Sequence, residues 1–169
     1  MKSTLMLIIA FSGFFSVCSG QQNSKWDKWS WLIGEWQGEN SGQPGQGAGT
    51  FSFTPDLKNE IIVRKSHTEF PAAENKPAIV HDDLLIVYSD PSTRGDNAIY
   101  FDNEGHTIKY SVTYKDRSII LRSDKIPDNP VFRLVYTLLD ERTVNTRFEM
   151  SGDGEKFTPY IEGNSRKIK

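Results

Sequence analysis

Residues 131–150 read VFRLVYTLLDERTVNTRFEM, two runs of period two on either side of a polar triplet. In the first run, 131–139, Phe132, Leu134, Tyr136 and Leu138 share one face. In the second, 143–150, Val144, Thr146, Phe148 and Met150 share one face, and Thr143, Asn145, Arg147 and Glu149 take the other. Successive side chains of a strand point to opposite faces, so each run predicts a strand with one dry and one wet side. Asp140, Glu141 and Arg142 predict a tight turn between them, which makes the pair an antiparallel hairpin. A third run, 106–114, sets His106, Ile108, Tyr110, Val112 and Tyr114 on one side against Thr107, Lys109, Ser111 and Thr113 on the other.

Weaker period-two stretches extend the pattern over the chain, at 35–39, 49–54, 60–70, 84–89, 98–102, 118–123 and 157–167. Turn residues separate them: Pro55-Asp56, Lys58-Asn59, Asp102-Asn103-Glu104-Gly105, Lys115-Asp116 and Ser151-Gly152-Asp153-Gly154. Gly105 is free to take a positive φ in its hairpin loop. The total is ten strands with mostly short connections, the exceptions being 71–77 and 91–95. Short antiparallel steps give an up-and-down order, and such a sheet hides its edges by closing. The expected fold is therefore an all-β, ten-stranded antiparallel barrel. No linker or shift in composition divides it, so one domain spans residues 21–169.

Hydrophobic residues make up 37% of the 169 residues and charged residues 25%, as in a globular protein. The formal charge is -2, so no basic face is expected and nucleic acid is not an expected partner. Residues 1–20 read MKSTLMLIIAFSGFFSVCSG. Lys2 supplies a positive start, 5–15 is an apolar run too short to span a bilayer, and Ser16, Cys18, Ser19 and Gly20 are small. This predicts a secretory signal peptide cut near Gly20, with export to the periplasm or the extracellular space. Cys18, the one cysteine, is either lost with the signal or is the lipidated first residue of a bacterial lipoprotein, although Phe15-Ser16-Val17 fits a lipoprotein box poorly. Either way the mature domain holds no disulfide and rests on its core alone.

Trp26, Trp29, Leu32 and Ile33 recur at helical spacing behind Ser24, which predicts a short N-terminal helix capped by that serine. The stretch that follows, Trp31-Leu32-Ile33-Gly34-Glu35-Trp36-Gln37-Gly38, resembles the lipocalin signature, in which Gly-x-Trp opens the first strand after a short helix. The resemblance implies that Gly34 lets the chain bend sharply into the strand. It implies that Trp36 plugs one end of the barrel, with Arg166 or Lys167 of the last strand over its indole. H-D-D-L-L-I-V-Y at 81–88, Y-F-D-N-E-G-H-T-I-K-Y at 100–110 and R-F-E-M at 147–150 are similar to a family of exported bacterial proteins of unassigned activity. That family is regarded as lipocalin-like within the calycin superfamily, distantly akin to nitrobindins and fatty-acid-binding proteins. The nitrobindin comparison implies a haem ligand near the C-terminus, but no histidine follows His106, so that ligand does not carry over and no cofactor is expected.

The sequence offers little catalytic chemistry. His67, His81 and His106 form no metal-binding motif, and neither G-x-S-x-G nor G-x-G-x-x-G occurs. The glycine-rich stretch 43–49 reads as a loop, and Asp82 and Asp83, adjacent on a strand, point to opposite faces. What remains is the barrel interior. A ten-stranded barrel encloses room for a ligand, or its large aromatics fill it. The expected ligand-binding residues are His106, Tyr110, Tyr136, Phe132, Phe148 and Arg64. His106 and Tyr110 orient a polar head at the rim, and Phe132 and Phe148 hold an apolar tail. Gly34, Trp36 and Arg166 are the expected structural residues. Three readings follow: a carrier of a small hydrophobic or amphipathic ligand, a filled-barrel envelope scaffold whose loops make contacts, and an enzyme using inward His106 with Tyr110.

Overall fold

The structure, a computed structural model, describes residues 25–39, 48–72 and 77–169. The expected signal peptide, the Cys18 anchor, the Ser24 cap and most of the 43–49 loop lie outside the described residues. Ten strands form one closed antiparallel barrel: β1 Gly34–Gly38, β2 Ala48–Asp56, β3 Ile61–Phe70, β4 Ile79–Asp90, β5 Gly95–Asp102, β6 Thr107–Lys115, β7 Ser118–Ser123, β8 Val131–Asp140, β9 Thr143–Ser151 and β10 Thr158–Lys167. Each strand pairs with its sequence neighbours, and β1 closes the ring on β10 through Trp36↔Lys167, Gln37↔Arg166 and Gly38↔Ser165. Closure leaves no edge strand to template aggregation.

The expected N-terminal helix is a single 3-10 turn, Asp27–Trp29. Its bonds run three residues back, Trp29 N–H to Trp26 O and Leu32 N–H to Trp29 O, both 2.8 Å. So short a segment gains too few hydrogen bonds to repay α-helix nucleation. Spacing by three also turns Trp26, Trp29 and Leu32 toward the barrel, where each is at most 2% exposed.

One end of the barrel is solidly packed. Trp29, Leu32, Trp36, Phe53, Ile62, Leu85, Val87, Leu121, Tyr136 and Val144 are fully buried. Trp36 stacks on Phe51 with ring centres 6.1 Å apart, and Phe53 meets Tyr136 edge-on at 5.3 Å. Each buried indole N–H has a partner: Trp36 donates to Leu32 O at 2.8 Å, Trp29 to Tyr114 Oη at 2.7 Å and Trp26 to Asn59 O at 2.9 Å. Aromatic area and satisfied polar tips together make this plug stable.

Gly34 holds φ at +128°, and a Cβ there would meet Lys169 O at 2.3 Å, so the turn into β1 requires glycine. Lys167 lies over Trp36, its Nζ 5.3 Å from the ring centre. Arg166 does not: its guanidinium pairs with Glu39 on the outside. The reason is register, because Lys167 stands opposite Trp36 and shares its face, while Arg166 stands opposite Gln37.

Candidate functional site

The inner face changes character above the plug. Phe132 and Phe148 remain on the inner wall but are only half-buried, stacked with ring centres 5.6 Å apart. Gly163 of β10 stands opposite Thr146, on the same face as buried Ser165. A Cβ at Gly163 would meet no atom within 4 Å, and the residue is exposed. β1 ends at Gly38, opposite Ser165, so above Ser165 this side of β10 has no strand beside it among the described residues.

Polar side chains line one side of the inner wall. Arg64, on β3, faces inward and is 8% exposed. Its Nη1 pairs with the carboxylate of Asp83 on β4, itself a buried side chain, and its guanidinium lies 5.4 Å from the Phe51 ring centre. Burial alone would lower the Arg64 pKa, but the neighbouring Tyr136 and Asp83 outweigh it and the net direction is upward. Tyr110 and Tyr136 are buried beside it. Burial pushes the Tyr136 hydroxyl up to about 12 and raises Tyr110 and Tyr100 as well, so all three stay protonated near neutral pH.

Three buried atoms in this region have no hydrogen-bond partner: Arg64 Nε, Tyr136 Oη and Thr146 Oγ1. Tyr136 and Thr146 stand opposite one another on β8 and β9. A buried polar atom without a partner costs about 1–3 kcal/mol, so three on one inner surface call for an explanation.

Nearer the rim, Tyr100 Oη meets His81 Nε2 at 3.1 Å and Asp102 Oδ2 at 3.3 Å, and His81 Nδ1 meets Glu104 Oε1 at 3.0 Å. His106 does not face inward as expected. Its ring is largely exposed, Nδ1 lies 2.9 Å from Asp102 Oδ2, and its N–H donates to Asp102 Oδ1 at 2.9 Å. The strand begins one residue later, at Thr107, after Gly105 turns with φ +91°. The alternation that predicted an inward His106 therefore does not reach it. The His106 contacts outweigh burial and hold Asp102 below its ordinary pKa.

Of the expected site residues, Arg64, Tyr110 and Tyr136 come together inside the barrel, Phe132 and Phe148 form a separate stacked pair on the inner wall, and His106 stands apart. Asp83, Tyr100, Asp102 and His81 were missed as inner-wall residues. The signal for His81 and Asp83 lies in the Leu85, Val87 alternation continued backwards, but the expected strand begins at 84 and β4 begins at Ile79. Met150, expected inward, sits at the rim and is 36% exposed.

A groove of about 750 Å³ lies on the outside, across β1–β5, where Glu35, Ser52, Lys65, Leu84 and Phe101 form one cross-strand row. His67 stands in it, held by Asp82 at 2.7 Å and Glu69 at 3.2 Å, and those hydrogen bonds raise its pKa. None of the unpartnered buried atoms found among the described residues belongs to this groove. Among the described residues no group of three or more His, Cys, Asp or Glu is placed to hold a metal ion, and no helix is long and apolar enough to cross a membrane.

The chain matches no family model and no curated protein sequence. Among solved structures it is similar to the crystal structure of Rv2717c from M. tuberculosis, with a TM-score of 0.56 at 11% identity, over 85% of this chain and 97% of that one. At that identity the likeness shows a shared fold.

Proposed function

We propose that this protein is an exported, lipocalin-like barrel that binds a small hydrophobic or amphipathic molecule in its lumen and performs no chemistry on it. The observation that carries the reading is an inner wall that passes from a packed aromatic plug to the half-buried Phe132–Phe148 stack and to a buried Arg64–Asp83 pair beside polar atoms without partners. Apolar walls with a few fixed polar groups are the usual make-up of a small-molecule site. Export rests on the signal-like residues 1–20, and the lipocalin comparison on Gly34, Trp36 and Lys167.

The test is native mass spectrometry of protein purified from its own host, beside a Gly163→Leu variant. A Cβ at Gly163, on the inward face of β10, would meet no atom within 4 Å. The expected result is a co-purified small molecule on the wild type that is absent from the folded variant. A wild type bare of ligand, and unable to take up an uncharged fluorescent hydrophobe, favours the scaffold reading instead.

A further inference from the structure

We infer that the outer wall of β3–β5 is an interface at which two copies of this chain meet face to face, about a two-fold axis that runs along β4. The inference goes beyond the ligand reading and does not depend on it.

The outward positions of a barrel strand face water and are expected to be polar. On β6–β10 they mostly are, with Thr113, Arg122, Arg133, Asn145, Arg147 and Asn164 among them. On β3–β5 they are not. Cross-strand pairing sets Val63, Ile86 and Ile99 in one outward row and Leu84 beside Phe101 in the next, and Tyr88 follows Ile86 on the same face. Phe101 is 39% exposed and the other five are half-buried. Single exposed apolar residues are ordinary on a surface, but a contiguous patch marks a contact.

The margins of the patch say what covers it. On one side β2 places Thr54 in the row of Ile86 and Asp56 in the row of Tyr88. On the other side β6 places Lys109 in the row of Ile86. Asp56 and Lys109 are exposed, and among the described residues neither forms an ion pair; the Asp56 carboxylate accepts the Leu57 N–H at 2.6 Å. A two-fold axis along β4 lays β2 of one copy over β6 of the other. Each Lys109 then comes down beside the other copy's Thr54, one outward position from its Asp56, and the pairing occurs twice. An axis across the strands through the same row would set Lys109 on Lys109 instead. An isologous contact has to be complementary to itself, and opposite charges on opposite margins of an apolar face meet that condition only for the axis along β4. Five strands spaced about 4.8 Å apart and three outward rows give a face on the order of 500 Å² per copy. Two copies thus bury on the order of 1,000 Å², the size of a weak, reversible interface.

The experiment is analytical ultracentrifugation of the protein purified from its own host, from about 1 to 300 µM, with thermal melts to show that each variant is folded. The expected result is a monomer–dimer equilibrium within that range. Ile86→Arg should raise the dimer Kd at least tenfold, because it puts a charge at the centre of the apolar face. Lys109→Glu should raise it several-fold, and Asp56→Lys combined with Lys109→Glu should bring it back towards the wild-type value. A wild type that stays monomeric throughout overturns the inference. So does a dimer indifferent to Ile86→Arg, which would have to use another face. A double variant no tighter than Lys109→Glu alone overturns the two-fold axis along β4.

Discussion

The two ends of the barrel interior are built from the same strands and obey different physics. At the plugged end, Trp29, Trp36 and Phe53 are fully buried, and the indole N–H groups are satisfied by backbone or hydroxyl oxygens. Above it, Arg64 and Asp83 are buried as a charge pair, and three polar atoms go without partners. The plug gains its stability from apolar area and close packing. The upper inner wall gives up stability wherever a buried polar atom goes without a partner.

The sharpest way to break that comparison is at Trp36. Trp36→Ala should cost about 3–5 kcal/mol, because a large aromatic leaves a cavity in a packed region. Urea unfolding would measure it, and a loss below about 1 kcal/mol would mean that the plug is not the stabilising half. The upper pair should respond in a different way. Asp83→Ala should cost about 3 kcal/mol by leaving Arg64 buried without its counter-charge, whereas Arg64→Met combined with Asp83→Leu should regain most of that loss. Recovery in the double variant, read by the same unfolding assay, would show that the pair is kept for something other than stability.

Alkaline pH tests both halves at once. Burial raises the pKa of Tyr100, Tyr110, Tyr114 and Tyr136 above the ordinary 10.0 of the unfolded chain, that of Tyr136 to about 12. Between those values the unfolded state has lost the proton and the native state keeps it. Stability is thus fully present below pH 10 and falls as pH rises through the folded values. Absorbance of tyrosinate should therefore rise for these four residues together with unfolding, in one cooperative step. Gradual ionisation of all of them in the folded protein would contradict their burial.

Two smaller effects sharpen the picture. Gly163→Ala should stabilise the protein by about 0.4–1 kcal/mol, since it stiffens the unfolded chain and its methyl group meets open space. A destabilised variant, seen as a lowered Tm, would show that the methyl group does not meet open space. On the outer wall, Asp82→Asn should lower the His67 pKa, which an NMR titration of the ring protons would follow.

Alternation made the strands legible. The runs at 131–139 and 143–150 match β8 and β9 to within a residue, and 118–123 coincides with β7. It failed where a strand begins or ends. His106 keeps the parity of Ile108 and Tyr110 but stands outside β6, so Asp102 claims it instead of the lumen. His81 and Asp83 lie inside a strand whose polar first half hid its start. Short polar runs carry no hydrophobic period, which is why the polar wall of the lumen was the part least visible.

By itself the sequence determined that the chain would be an up-and-down β-barrel, because period-two alternation and short turns leave a ten-stranded sheet little choice but to close. It also marked Gly34 and Trp36, whose roles are local: a turn with positive φ, and an indole just after it. Only the tertiary structure decided which basic residue covers that indole, since Lys167 and Arg166 differ by one position and the β1–β10 register chooses between them. Only the tertiary structure brought Arg64, Asp83, Tyr136 and Thr146 into one lumen, because they come from β3, β4, β8 and β9 and no spacing along the chain encodes a meeting across a closed sheet.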